Sequence, residues 1–179
     1  QCASASGTED VLLCDQRDSK PHKFSEDECH HLGLGMLAVR VLFCSGMIAA
    51  ARELAALLCP LCGGEDFSKS DIKDESAAFS FVCKLLNEVK LASVAEPNTK
   101  PLYAIGGLHS LSCSWQTMDA KGTTYVIIPV PIFGLQLCST KAWDKLYTAK
   151  HFDATVDTLP SDAPVILAIG DFDCDAGIT

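Results

Sequence analysis

From residue 32 to 58 almost every position is apolar, interrupted by Arg40, Ser45, Gly46, Arg52 and Glu53. A run of this length could span a bilayer. However, Arg40 would lie near its middle, Gly33, Gly35 and Gly46 break it, and no basic flank marks a cytoplasmic side. The pattern instead predicts a buried helical hairpin, with Ser45 capping a second helix over 47–58 that is rich in Ala and Leu. Cys59-Pro60-Leu61-Cys62-Gly63-Gly64 is expected to end that helix, and a polar connector follows over 65–74. Ala78, Phe79, Val82, Leu85, Leu86 and Val89 then fall on one stripe of a helix, opposite Ser80, Lys84, Asn87, Glu88 and Lys90. This periodicity predicts a helix over 75–95, closed by Pro97.

Beyond Pro101 the texture becomes β-branched and aromatic. Strands are expected over 102–105, 108–115 and 123–128, with 119–122 as a turn. Pro129 and Pro131 would end a strand or confine it to a sheet edge. A further short strand over 132–137 and a helix capped by Ser139 or Thr140 and running to Tyr147 are expected next. Phe152, Ala154 and Val156 alternate with polar neighbours, which reads as a half-buried strand, and 165–169 reads as a final buried one. Helices first and strands later predict an α+β fold, a helical N-terminal half packed on a mostly antiparallel C-terminal sheet. Residues 1–28 read as a mostly irregular lead-in and 29–179 as a single cysteine-rich domain.

The chain has 179 residues, 48% of them hydrophobic, with a mean hydropathy of +0.20. That supplies a real core and excludes wholesale disorder. The net charge of −9 disfavours electrostatic binding of nucleic acid. Ten cysteines are present, at 2, 14, 29, 44, 59, 62, 83, 113, 138 and 174. Cys44 and Cys83 sit inside apolar helical patterns, where a thiol is a small hydrophobe, and no Asn-X-Ser/Thr sequon occurs. These features favour a reducing cytoplasm or nucleus. The alternative is a secreted, disulfide-stabilised binding domain with five bridges.

Cys59-x-x-Cys62 followed by two glycines is the sharpest chemical signal. Two thiolates at this spacing grip one ion, and a structural zinc site needs four such ligands. The others would come from Cys29 or Cys44 upstream and from Cys138, His109, His151 or Cys113 downstream; the favoured set is Cys59, Cys62, Cys29 and Cys138, with Cys44 as the alternative to Cys29. A metal-free thiol pair and a redox dithiol are the competing readings. Cys29-His30-His31 is a second dense donor group, readable also as a polar turn. Asp171, Asp173 and Asp175 alternate as in calcium loops, but the glycine falls one place late, so the segment reads as an acidic C-terminal tail, calcium-sensitive only in the secreted alternative. Phosphate loops, dinucleotide fingerprints and hydrolase elbows are missing, which points away from an enzyme and towards binding another protein.

The order of these features resembles the nucleoplasmic, lamina-associated subunit of the herpesvirus nuclear egress complex. Cys59 and Cys62 match its Cys-x-x-Cys, residues 78–89 its long helix, and Leu102-Tyr103-Ala104, the segment 118–122 and Tyr125-Val126-Ile127-Ile128 its later strands and turn. The resemblance implies a non-enzymatic scaffold that binds a membrane-anchored partner at the inner nuclear membrane, with a structural zinc. It also implies a Cys3His ligand set. No His stands near 134–135 in this chain, so Cys138 would take that place.

Overall fold

The computed structural model describes residues 24–62, 65–88, 98–132 and 147–168. Of these, residues 24–40, 48–62 and 65–88 form one compact unit, and residues 41–47, 98–132 and 147–168 form another. The α+β expectation holds.

The first unit is helical. α1 (Glu26–Cys44) opens with a reciprocal capping box. The Glu28 N–H donates to Ser25 Oγ at 3.4 Å, while the Ser25 N–H donates to Glu28 Oε2 at 2.8 Å, so two amides left over at the helix start are satisfied. Just before the cap, the Phe24 ring meets that of Phe67, centroids 6.0 Å apart. Leu32, Met36, Val39 and Phe43 are the buried stripe of α1, at i, i+4, i+7 and i+11. A Cβ on Gly33 would come within 2.7 Å of Ile72 Cγ2, so this glycine lets the helix approach the chain ahead of α3. α2 (Ile48–Cys62) buries Ala51, Ala55 and Leu58. α3 (Lys73–Glu88) buries Ala78, Phe79, Val82, Leu85 and Leu86, the stripe expected from periodicity.

The second unit is a four-stranded sheet in the order β2-β3-β1-β4. It comprises β1 (Thr99–Gly106), β2 (Thr117–Ala120), β3 (Thr123–Pro131) and β4 (Val165–Ala168). The sheet is mixed rather than mostly antiparallel. β1 runs parallel to both β3 and β4, and the β2–β3 pairing is antiparallel. The reason lies in the connections. β2 and β3 are joined by a two-residue turn, Lys121-Gly122, with φ of 51° and 77°, as a tight hairpin requires. β2 runs opposite to β1, so the hairpin turns the chain back and brings β3 in alongside β1 in the same direction, and β4 enters the sheet parallel to β1 as well.

Three further expectations are corrected. Residues 108–115 are not a strand: Leu108–Cys113 is a 3₁₀ helix. The alternation at 152–156 belongs to α4 (Tyr147–Thr158); Phe152 and Leu159, seven residues apart, pack with Val130 on Ile105 and Ile132, which is helical spacing. Pro129 and Pro131 lie within β3, opposite Ala104 and Gly106. Their neighbour Ile132 sends its N–H to Gly106 O on β1, so the proline nitrogens face the other way. On that side the β2 ladder has already ended at Val126, and no ladder donor is lost. The expected strand over 132–137 and the expected capped helix from 139 lie almost wholly outside the described residues.

The last turn of α1 is fastened to this sheet. The Gly46 N–H donates to Phe43 O at 3.1 Å and the Met47 N–H to Leu42 O at 2.9 Å, with Gly46 at φ 77°. This is a Schellman C-cap with glycine in the left-handed position, and Ser45 therefore closes α1 instead of capping α2. Trp115, only 3% exposed, donates its indole N–H to the same Phe43 O at 2.8 Å. Gly46→Ala would put a Cβ 2.9 Å from the Trp115 ring as well as straining φ. It is expected to cost about 2–4 kcal/mol, read as a lowered urea midpoint; an unchanged midpoint would contradict the cap. Ser114 Oγ, by contrast, is buried without a hydrogen-bond partner. Ser114→Ala is expected to be neutral or to stabilise by up to about 1 kcal/mol, and a clear loss in the same titration would show a partner for that hydroxyl.

Candidate metal and thiol sites

The capping box that starts α1 fixes Glu26 and His30 one turn apart on the same helix face. Asp71, in the turn ahead of α3, completes a group whose donor atoms all lie within 4.8 Å of one another. An imidazole with two carboxylates is a donor set for a borderline or hard divalent cation that keeps water in its remaining positions. All three residues are exposed, so water competes for each. The adjacent His31 is engaged elsewhere, its Nδ1 2.6 Å from Asp27 O. In the connector, the Asp66 carboxylate accepts the Ser68 N–H at 2.9 Å. That backbone hydrogen bond, with the Ser68 side chain, holds its pKa below the ordinary carboxylate value.

The thiols are arranged differently from the sequence expectation. Cys59 and Cys62 occupy the last turn of α2, with Pro60 between them. The Cys-x-x-Cys backbone is therefore helical where a knuckle turn was expected. Cys59 Sγ lies 3.9 Å from Cys83 Sγ on α3. Both thiols are half-buried. Arg52 sets this register: its Nε and Nη2 donate to Leu86 O at 3.2 and 2.9 Å. This places a cation on a carbonyl of the last turn of α3, where the helix leaves acceptors over and the dipole favours positive charge.

Cys29 lies in the second turn of α1 and Cys44 at its end. Among the described residues, no three cysteine donors converge within ligand range. Cys138, proposed from sequence as a further zinc ligand, lies outside the described residues. His109 and His151 are both exposed. Cys113 donates to Ser110 O at 3.1 Å, and burial pushes its thiol pKa up, which makes it a poor nucleophile at neutral pH. No disulfide joins Cys29, Cys44, Cys59, Cys62, Cys83 and Cys113. Among the described residues the five-bridge framework therefore finds no bridge. The aspartate-rich tail from 171 onward lies outside the described residues.

No family model, curated protein or solved structure matches this chain.

Sequence reasoning flagged His30 and Cys59 but missed their partners. The Glu26–His30 spacing was open to view in the sequence, whereas Asp71 and Cys83 become neighbours only through folding. The register of α2 on α3 is directly testable. Arg52→Met keeps the aliphatic stem and removes the donors, so it is expected to lower stability by about 1–2 kcal/mol in urea unfolding. A midpoint equal to wild type would show that the Arg52–Leu86 contact sets nothing.

Proposed function

We propose that this chain is a non-enzymatic protein-interaction module whose contact surface lies on its helices. The observation that carries this is the alignment of exposed apolar side chains. Leu34, Leu37 and Val41 stand at i, i+3 and i+7 along α1, and Leu57 and Leu61 at i and i+4 along α2. Leu34 is 65% exposed, Leu57 70% and Leu61 55%. Single exposed leucines are ordinary, but rows of them along helix faces are what helix-groove recognition uses. No helix among the described residues is long and apolar enough to cross a membrane.

The finer form of the proposal adds a structural zinc bound by Cys59, Cys62, Cys138 and either Cys29 or Cys44, in a reducing compartment. It also adds a membrane-anchored protein partner of the nuclear-egress kind. The support for zinc is the Cys-x-x-Cys pair at the end of α2; a tetrahedral site there would need the last helical turn to open, which Pro60 eases by removing one helix hydrogen bond. The support for the partner is the sequence resemblance together with the exposed rows.

Two measurements test the two levels separately. Leu57→Glu with Leu61→Glu is expected to leave the melting temperature within a few degrees of wild type, since exposed positions tolerate substitution. The same double variant is expected to lose the protein cross-links that wild type forms through α2 in cells. Retention of those cross-links would overturn the contact surface. Native mass spectrometry of the reduced chain is expected to show one bound zinc, lost in Cys59→Ser and Cys62→Ser. A metal-free mass would remove the zinc and leave the interaction reading standing.

A further inference from the structure

Cys59 and Cys83 are two thiols that the fold brings into contact. Their sulfurs are 3.9 Å apart on different helices, close to van der Waals separation. A disulfide needs about 2.05 Å between sulfurs, so closure requires a movement of about 2 Å by one or both side chains. The end of α2 is suited to yield by that amount. Pro60 follows Cys59 directly inside the helix and has no N–H to bond Ala56 O, so the turn carrying Cys59 is held by one hydrogen bond fewer than a regular turn. Further back, Arg52 clamps α2 to Leu86 O of α3. The two helices are thus fixed at one point while the thiol-bearing turn retains play. Among the described residues Cys62, one turn beyond Cys59, forms no three-donor group with the pair.

We propose that Cys59 and Cys83 are an oxidation-responsive pair that closes into a disulfide between α2 and α3 when it meets a small-molecule disulfide. One thiolate of the pair attacks a sulfur of the small disulfide, forming a mixed disulfide and expelling one small thiolate. The second thiol, losing its proton to water, attacks the protein sulfur of that mixed disulfide and expels the other. In sum, two protein thiols lose two protons and two electrons, and the small disulfide is reduced to two small thiols. This inference goes beyond the interaction surface and does not rest on bound zinc. It concerns the metal-free chain, and any zinc held by Cys59 would block it by occupying the thiolate.

The test uses the full chain, reduced, treated with chelator, and then exposed to oxidised glutathione. Remaining thiols are alkylated and the protein is digested without reduction. The expected product is the chain two hydrogens lighter with a Cys59–Cys83 cross-linked peptide, formed ahead of any other bridge and reversed by reductant. Cys83→Ala is expected to leave Cys59 glutathionylated instead of bridged, while Cys113→Ala leaves the cross-link intact. Should Cys83→Ala fail to fold, the wild-type peptide map decides alone. Separate glutathione adducts on Cys59 and Cys83, or a Cys59–Cys62 bridge in wild type, would overturn the proposal. If zinc binding also fails in native mass spectrometry, the thiol pair is unaffected, so the two ideas fail independently.

Discussion

A buried indole N–H must find an acceptor, and in this protein it finds one 72 residues away, at the carbonyl of Phe43. Around that hydrogen bond the end of α1 and the sheet take their form. Trp115 holds φ at 59°, a left-handed conformation that costs a bulky residue of the order of 1–3 kcal/mol. It persists because several contacts determine it together. Its backbone N–H donates to Ile127 O at 2.7 Å and its indole to Phe43 O, and its ring fills the space a side chain at position 46 would need. Gly46 is thus required twice, for the turn that ends α1 and for the ring that lies against it. Closing so long a loop is entropically expensive, which is why the contact that closes it must be dry and fully satisfied on the donor side.

The same economy of contacts explains where chemistry can occur. In the helical unit the apolar stripes of α1, α2 and α3 are buried in regular registers, so the polar and sulfur-bearing groups are left at the margins. Glu26, His30 and Asp71 gather beside a helix start, and Cys59 and Cys83 meet beside a helix end. Pro60 joins the two themes of order and play. It sits where α2 is about to stop, so the missing N–H costs little, and it loosens the turn that carries Cys59.

Much of the helical unit was legible in the sequence because helix periodicity is local. The stripe Ala78, Phe79, Val82, Leu85, Leu86 appears in the structure as it reads on paper, and the hairpin of α1 and α2 follows from the apolar run. Ser25-Glu26-Asp27-Glu28 spelled the start of α1 as well, although the run of charge around it reads equally as a loop. The sheet was less legible. Strand direction depends on what lies between strands, and only Lys121-Gly122 carried a turn signal strong enough to set it. Five alternating residues at 152–156 fit a helix as well as a strand, and the spacing of Phe152 from Leu159 decides between them only once the packing against Ile105 is known. The thiol pair was the least legible. Cys83 reads as a core residue of its own helix, and nothing near it in sequence says that Cys59 will be its neighbour.

The dependence of the fold on Trp115 is most directly measured by hydrogen exchange of its indole N–H, followed by NMR on the ¹⁵N-labelled chain, with Trp143→Phe used to assign the two indoles. Protection of the Trp115 indole equal to that of the most protected β1 and β3 amides is the expected result, since the bond should break only when the sheet-bearing unit unfolds. Exchange of that indole at the rate of an exposed tryptophan, while the β1 and β3 amides stay protected, would contradict it.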